Sequence, residues 1–180
     1  MASRLILING VPASGKSTLA RDWCERHAGG LPWCLDVDAI RATLGGWRDD
    51  LSAAGLAARD IAVAGVAVHL RAGRDVVVPQ YLRRPDFIDR LEAAASTRGA
   101  LFIETALTID PATAQRRFAD RAAEAGIDRH GELQAEMTAI VREFEVFLAS
   151  RPRAIRLAAG ADTLSALEAA ISAREAEQRS

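Results

Sequence analysis

Five short apolar runs punctuate the chain, and between them the hydrophobic period changes to that of a helix. Arg4-Leu-Ile-Leu-Ile-Asn9 does not alternate and meets Gly10 at once, the pattern of a strand buried on both faces. Trp33-Cys-Leu35 running into Asp36-Val-Asp38, Asp75–Val78 stopped by Pro79, Leu101–Leu107 and Ala154–Leu157 read the same way. Helical spacing covers Ser17–His27, which Gly29-Gly30 and Pro32 end, and the shorter Ala39–Leu44, which Gly45-Gly46 ends. A longer helix fits Ser52–Arg71, where Leu56, Val63 and Leu70 recur at seven-residue steps and predict the buried face. Pro85 opens another helix to Arg98, and Asp110-Pro111 is a strong start for one running to Ala125. After the polar, glycine-bounded segment 126–131, helices are predicted over Glu132–Ser150 and from a cap at Asp162 onward. Strands apolar on both faces, alternating with helices, predict one three-layer α/β domain with a five-stranded, mostly parallel sheet.

Composition narrows the function classes. With 180 residues, 49% hydrophobic and 26% charged, the chain suits a single domain with a real core, residues 1–180. A formal charge of −1 argues against a protein that coats nucleic acid by neutralising phosphates, although a local basic groove stays open. No apolar run is expected to reach the roughly 20 residues of a membrane span, and Leu5–Ile8 is too short for a signal-peptide core, so a cytoplasmic protein is expected. Cys24 and Cys34 have neither zinc-type spacing nor a disulfide framework. The basic residues are lopsided: of 23, only Lys16 is lysine. An arginine-for-lysine bias leaves lysine only where a compact ammonium is needed and a planar guanidinium would not serve.

That lysine sits in Gly10-Val11-Pro12-Ala13-Ser14-Gly15-Lys16-Ser17, a full G-x-x-x-x-G-K-[ST] match between a buried strand and a helix. The two glycines let consecutive amides turn inward around phosphate oxygens, and the helix N-terminus adds its positive end. In this motif Lys16 reaches the β- and γ-phosphates and the Ser17 hydroxyl ligates Mg²⁺, while Thr18 is placed to donate to the α-phosphate. Nucleoside-triphosphate binding, with ATP and Mg²⁺ as cofactors, is the expectation.

Absences sort the P-loop classes. The guanine-reading Asn-Lys-x-Asp element cannot exist in a chain whose only asparagine is Asn9 and whose only lysine is Lys16. A motor ATPase places an acid at a strand end, whereas the third strand ends Val78-Pro79-Gln80 and the fourth offers only Glu104 internally. Phosphoryl transfer to an acceptor remains. Along a strand, Asp36 and Asp38 would share one face, and Arg41 would lie one helical turn beyond Asp38. A carboxylate able to take a hydroxyl proton beside a guanidinium able to hold an anion suits an acceptor pocket. The plain alternative makes Asp38 a helix cap and Arg41 a surface residue.

With its P-loop followed by D-x-x-R after the second strand, the chain resembles the small P-loop kinases: polynucleotide 5′-kinases, chloramphenicol phosphotransferase, adenylylsulfate kinase and zeta-toxin-like kinases. The resemblance implies a P-loop NTPase fold with a helical lid. It implies that Asp38 is the general base or hydroxyl ligand, with Ser17 and Asp38 holding the metal, and that Arg41 contacts acceptor or phosphate. Leu35-Asp-Val-Asp-Ala-Ile-Arg41 is particularly similar to the adenylylsulfate kinase stretch. Arg117 and Arg121, one turn apart, resemble the arginines of the helix that leads into the lid, here approximately 117–131, and would close over the triphosphate. Otherwise they are solvated charges beside Asp120 and Glu124. Arg129 is a further lid candidate.

His27 and His69 read as structural, while His130 falls in the lid. Trp47, Tyr81, Arg83 and Arg84 follow strands where acceptor loops sit, and either line that pocket or lie on the surface. The leading expectation is a kinase acting on a hydroxyl of a small-molecule acceptor, such as an antibiotic or metabolite. The alternatives are a polynucleotide 5′-hydroxyl kinase, which Arg83-Arg84 would favour and the 5% aromatic content would not, and a non-catalytic ATP-binding or regulatory ATPase module.

Overall fold

The computed structural model describes residues 3–124 and 130–179, with side chains described outside 121–135 and 179. In chain order the elements are β1 (Arg4–Gly10), α1 (Lys16–Arg26), β2 (Trp33–Cys34), α2 (Val37–Ala42), α3 (Leu51–Arg71), β3 (Val76–Gln80) and α4 (Asp86–Ser96). They continue with β4 (Leu101–Thr108), α5 (Pro111–Glu124), α6 (His130–Ala149), β5 (Ile155–Ala158) and α7 (Thr163–Arg179). The five strands form one sheet in the order β2-β3-β1-β4-β5, and every pairing is parallel. This is the three-layer α/β architecture with a five-stranded parallel sheet that the strand pattern predicts.

β1 is central because its apolar run can be buried on both sides: Leu5, Ile6, Leu7 and Ile8 are fully inaccessible. Leu5 and Leu7 join Val76 and Val78 against α3 and α4, where Ala62, Val66, Phe87 and Leu91 meet them. Ile6 and Ile8 face the opposite layer, against Leu19 and Trp23 of α1 and Leu167 and Ile171 of α7. A third cluster, including Val11, Ala114, Met137 and Phe144, seats α5 and α6 beside the loop after β1.

Three expectations need correction. β2 stops at Cys34, and α2 begins at Val37 because the Asp36 carboxylate accepts from the amides of Asp38 (2.9 Å) and Ala39 (3.2 Å). Asp36 and Asp38 therefore do not share a strand face: one is the cap, the other the first helical turn. Pro79 does not stop β3; it pairs with Ile8, and its missing N–H falls on the side where β2 has already ended. The buried face of α3 follows the seven-residue series only in part: Leu70 is buried and Val63 packs against the core, but Leu56 does not. Ala54, Ala58, Ala62, Val66 and Leu70 face the core, while Leu56 is 55% exposed. Small alanines let the helix lie close on the sheet, and this leaves larger aliphatics outside. By length and composition alone α3 would pass for a membrane span, but its inner face is spent on the core.

The cysteines, far apart in spacing, meet where α1 crosses β2. The Cys24 and Cys34 thiols interact, which holds the Cys24 thiol up, assisted by burial, and lowers Cys34, assisted by Arg21. Glu104, the lone acid inside β4, is accounted for by Arg151, whose guanidinium grips it through Nε (3.1 Å) and Nη2 (2.7 Å). Its carboxylate is only 6% exposed, so Arg151→Ala strands a buried charge. The expected loss is about 3 kcal/mol in urea unfolding, with the β1–α1 loop untouched.

Candidate functional site

The loop between β1 and α1 lies at the carboxyl edge of the sheet. Here the chain order reverses, with β3 and β2 to one side of β1 and β4 and β5 to the other. Its backbone is forced into shape by position-specific needs. Gly15 holds φ 96°, and Ala13 is left-handed too, at φ 62°. A Cβ on Gly10 would come within 2.7 Å of Ser14 Oγ and 3.2 Å of the Leu107 carbonyl, so only glycine lets the loop fold back on itself. The Ser14 amide donates to the Val11 carbonyl at 3.2 Å and closes the turn. Lys16 Nζ donates to that same carbonyl at 3.2 Å, folding the ammonium over the loop. Ser14 Oγ is buried with no hydrogen-bond partner, and Ser17 and Thr18 open to solvent at the helix start. A hollow of about 340 Å³ lies among Ala13, Gly15, Lys16, Ser17, Thr18 and Arg21. Amides, one ammonium and an orphaned hydroxyl around a concave turn form an anion cradle, and the Ser17 hydroxyl beside it suits a hard cation bridging phosphate oxygens.

A second hollow, about 490 Å³, opens beside the cradle. Its floor is Ala13–Gly15 and Thr18, one wall is Arg117 and Asp120 of α5, and the other is the turn between β5 and α7. That turn is pinned by the Thr163 hydroxyl, which accepts from the Gly160 amide at 2.7 Å and reaches the carbonyls of Gly160 (2.7 Å) and Ala158 (3.0 Å). Arg117 Nη1 reaches back to the Ser14 carbonyl at 3.4 Å, so this arginine meets the cradle across more than a hundred residues of sequence. Arg121 is one turn further along α5, with its side chain outside the described residues. Of the predicted lid 117–131, residues 117–124 continue α5, Arg129 falls outside the described residues, and His130 heads α6 with its side chain outside them too.

On the β2–β3 side, Asp38 stands exposed in the first turn of α2, and its Oδ1 pairs with Arg41 Nη2 at 3.2 Å. Arg41 is half-buried, with Nε unpartnered, and its guanidinium lies 5.3 Å from the Trp47 ring centroid. Arg48 covers the same ring at 4.4 Å. Trp47 therefore orients arginines. Arg83 pairs with Glu143 of α6 and lies over Tyr81 at 5.7 Å, while Arg84 makes no ion pair among the described residues. His27 stacks on Trp23 and contacts its carbonyl at 2.8 Å, and His69 contacts the Leu31 carbonyl at 2.9 Å. Both are structural, as the sequence suggests.

Four contributors were not legible beforehand. Asn9, 1% exposed, clamps the loop after β3 by donating to the Leu82 carbonyl (3.1 Å) and accepting its amide (2.9 Å). It holds the segment 80–82 beside the cradle. Thr163 shapes the wall of the larger hollow, and Asp22 with Asp120 brings carboxylates to it. Among the described residues no cluster of three His, Cys, Asp or Glu side chains could ring a metal ion. A cation here depends on Ser17, a carboxylate and the oxygens of a bound phosphate.

A family model described as an AAA domain matches residues 5–144. Among solved structures, a gluconokinase from Sinorhizobium meliloti 1021 is 17% identical with a TM-score of 0.65, over 98% of this chain and 95% of that one. The tunicamycin resistance protein of Deinococcus radiodurans is 18% identical with a TM-score of 0.64, over 94% of each chain. At such identities the likeness is one of fold. A search of curated proteins finds no match.

Proposed function

The chain belongs to the AAA-domain family and has the fold of small P-loop kinases, and from that premise we propose that it is an ATP-dependent phosphotransferase whose acceptor is a hydroxyl on a small molecule. The observation that supports this best is the cradle after β1, with Lys16 folded over it and the exposed Asp38–Arg41 pair opening α2.

In this reading residues Gly10 to Ser17, with Thr18, hold the phosphates, through the loop amides other than Pro12, which has no N–H. Lys16 neutralises the β- and γ-oxygens, and the larger hollow takes the nucleoside. Mg²⁺, held by Ser17 and Asp38, would supply charge neutralisation to the β- and γ-phosphates. Arg41 orients the acceptor so that its hydroxyl oxygen faces the γ-phosphorus in line with the bridging oxygen. The bond from that oxygen to phosphorus forms as the β–γ bridge breaks. ADP leaves with the bridging electron pair, and the hydroxyl proton passes to the Asp38 carboxylate. Arg117 and Arg121 stabilise charge spread over the transferring group and, with the lid 117–131, exclude water that would otherwise hydrolyse ATP. The whole chain acts as one domain.

Arg83 is already neutralised by Glu143, so one of the two arginines available to an oligonucleotide backbone is engaged. This favours a small acceptor over a polynucleotide. The test is transfer from γ-labelled ATP with Mg²⁺ to a panel of hydroxyl compounds alongside a 5′-hydroxyl oligonucleotide. Gluconate and tunicamycin head the panel, because the two structural relatives are a gluconokinase and a tunicamycin resistance protein. Label is expected in a small molecule, with ADP formed in equal amount. Label in the oligonucleotide that falls steeply with salt identifies a polynucleotide kinase. ATP consumption at background across the panel leaves a nucleotide-binding module and refutes the kinase reading.

A further inference from the structure

We infer that Cys24 and Cys34 form a redox site, in which a peroxide closes the two thiols to an intramolecular disulfide that ties α1 to β2. They are the only two cysteines of the chain, and the fold brings them together from different elements. Along β2 the side chains alternate: Trp33 and Leu35 pack in the cluster on the α3 side, and Cys34 between them packs on the opposite cluster. Cys34 pairs in register with Val77 of β3, whose side chain belongs to that same cluster. On α1 the buried face carries Ala20 and Trp23. Cys24 follows Ala20 by one helical turn and packs against the cluster too. The two thiols thus reach one apolar patch from its two sides and interact there. Both are half-buried rather than sealed, so a small oxidant can reach them.

The pair is also divided in role. Interaction with Cys34, ahead of burial, holds the Cys24 thiol up. The same interaction lowers Cys34, with Arg21 of α1 assisting and burial and Asp36 opposing. Cys34 is therefore the attacking thiolate and Cys24 the resolving thiol. The Cys34 sulfur takes one peroxide oxygen as the O–O bond breaks, and the other oxygen leaves and is protonated to water. Cys24 then attacks the sulfur of the resulting sulfenic acid. Its proton goes with the departing oxygen to a second water, and the S–S bond forms. The thiols lose an electron pair and the peroxide gains it. Closure also has a mechanical result. Sulfurs that touch unbonded stand farther apart than the S–S bond of about 2.05 Å, so one element must move. α1 is seated through Leu19, Ala20 and Trp23, whereas β2 is a 2-residue strand at the sheet edge. Gly29 and Gly30, on the approach to β2, have open space around them. β2 yields, and the shift passes to Asp36, whose carboxylate caps the turn of α2 that carries Asp38.

The test treats the reduced full chain with hydrogen peroxide. Intact mass should fall by a pair of hydrogens, and maleimide labelling of both thiols should be lost. The product should remain the 19.3 kDa protomer on a non-reducing gel, and dithiothreitol should restore both thiols. Cys34→Ser should slow oxidation of the remaining thiol at least about tenfold, and Cys24→Ser should stop at a Cys34 sulfenic acid that dimedone traps. Hydrogen exchange of the Asp38 and Ala39 amides should quicken on closure, in the wild type and in neither variant. The consequence for turnover rests on the kinase reading: oxidation should lower transfer to the acceptor at least about tenfold, reversibly, with MgATP affinity unchanged. Thiols that stay reactive, oxygen gained without an S–S bond, or disulfide-linked dimers would overturn the redox site. So would a Cys34→Ser protein oxidised as fast as the wild type. A disulfide that leaves amide exchange and turnover unchanged would overturn the link to Asp38. Reduced protein that transfers no phosphate refutes the kinase reading instead, and the mass and exchange results then decide the redox site by themselves.

Discussion

Asp38→Asn is expected to lower kcat for phosphoryl transfer by about 10²–10⁴-fold, on the scale of losing a general base. In barrier terms that is about 3–5 kcal/mol. The amide keeps the size and much of the hydrogen-bonding of the carboxylate but cannot accept the hydroxyl proton as the γ-phosphoryl group moves. The structure makes the variant clean. The cap of α2 is Asp36, which accepts from the amides of Asp38 and Ala39, so the helix start does not depend on the Asp38 side chain. Asp38 is exposed and its pairing with Arg41 spans 3.2 Å at the surface, so fold stability should barely change. Nucleotide affinity, measured by calorimetry without acceptor, should stay close to wild type. A rise in the Mg²⁺ concentration needed for half-maximal rate would report the metal-holding part of its role separately. Asp36→Asn, which keeps a capping oxygen, is the control and should retain turnover. Unchanged turnover in Asp38→Asn would remove this carboxylate from the chemistry.

The fold was legible where local pattern and burial coincide. Residues 4–10 and 101–108 are apolar on both faces and became the central strands, because in a parallel sheet covered by helices both faces must be dry. Periodicity was only partly right on α3, missing at Leu56, for a physical reason. Where a helix is apolar all round, the sequence does not say which apolar face goes inside, and close packing against the sheet selected the alanines over Leu56. The short extent of β2 was equally hidden. Whether Asp36 ends a strand or caps a helix depends on which amides its carboxylate reaches, and spacing allowed both.

The candidate site divides along the same line. The cradle was readable in full, since its glycines, its lysine and its serine act through the backbone of one contiguous turn. Arg117 could be anticipated only through resemblance, and its approach to the Ser14 carbonyl is a product of the packing that seats α5 on Val11 and Ala106. Asn9 carries no motif at all. A buried amide that binds both the N–H and the C=O of Leu82 is a tertiary device, and its only sequence trace is an isolated asparagine at a strand end. The Cys24–Cys34 contact likewise depends on the crossing of α1 over β2, which no spacing between the two residues encodes.

Lys16→Ala should abolish measurable MgATP binding by calorimetry and lower turnover by about 10²–10³-fold or more, the cost of deleting one preorganised charged donor from a site where charge develops. Alanine is the strongest helix former, so the first turn of α1 keeps its propensity, and the loop retains its Gly10 and Gly15 geometry. What disappears is the only ammonium in a chain that otherwise uses arginine 22 times. That bias makes Lys16→Arg the sharper experiment, since it keeps the charge and changes only its shape. The hollow at this position is about 340 Å³ and is walled by Ala13, Gly15 and Ser17, close to the backbone on every side. A planar fork with five donors cannot fold back to the Val11 carbonyl and face the phosphates as a rotating ammonium can. Lys16→Arg is therefore expected to remain at least about tenfold below wild type in turnover, with weakened nucleotide affinity. Full activity in the arginine variant would mean that the retention of lysine at this position has no basis in shape, and full affinity in the alanine variant would mean that the loop after β1 does not hold the triphosphate.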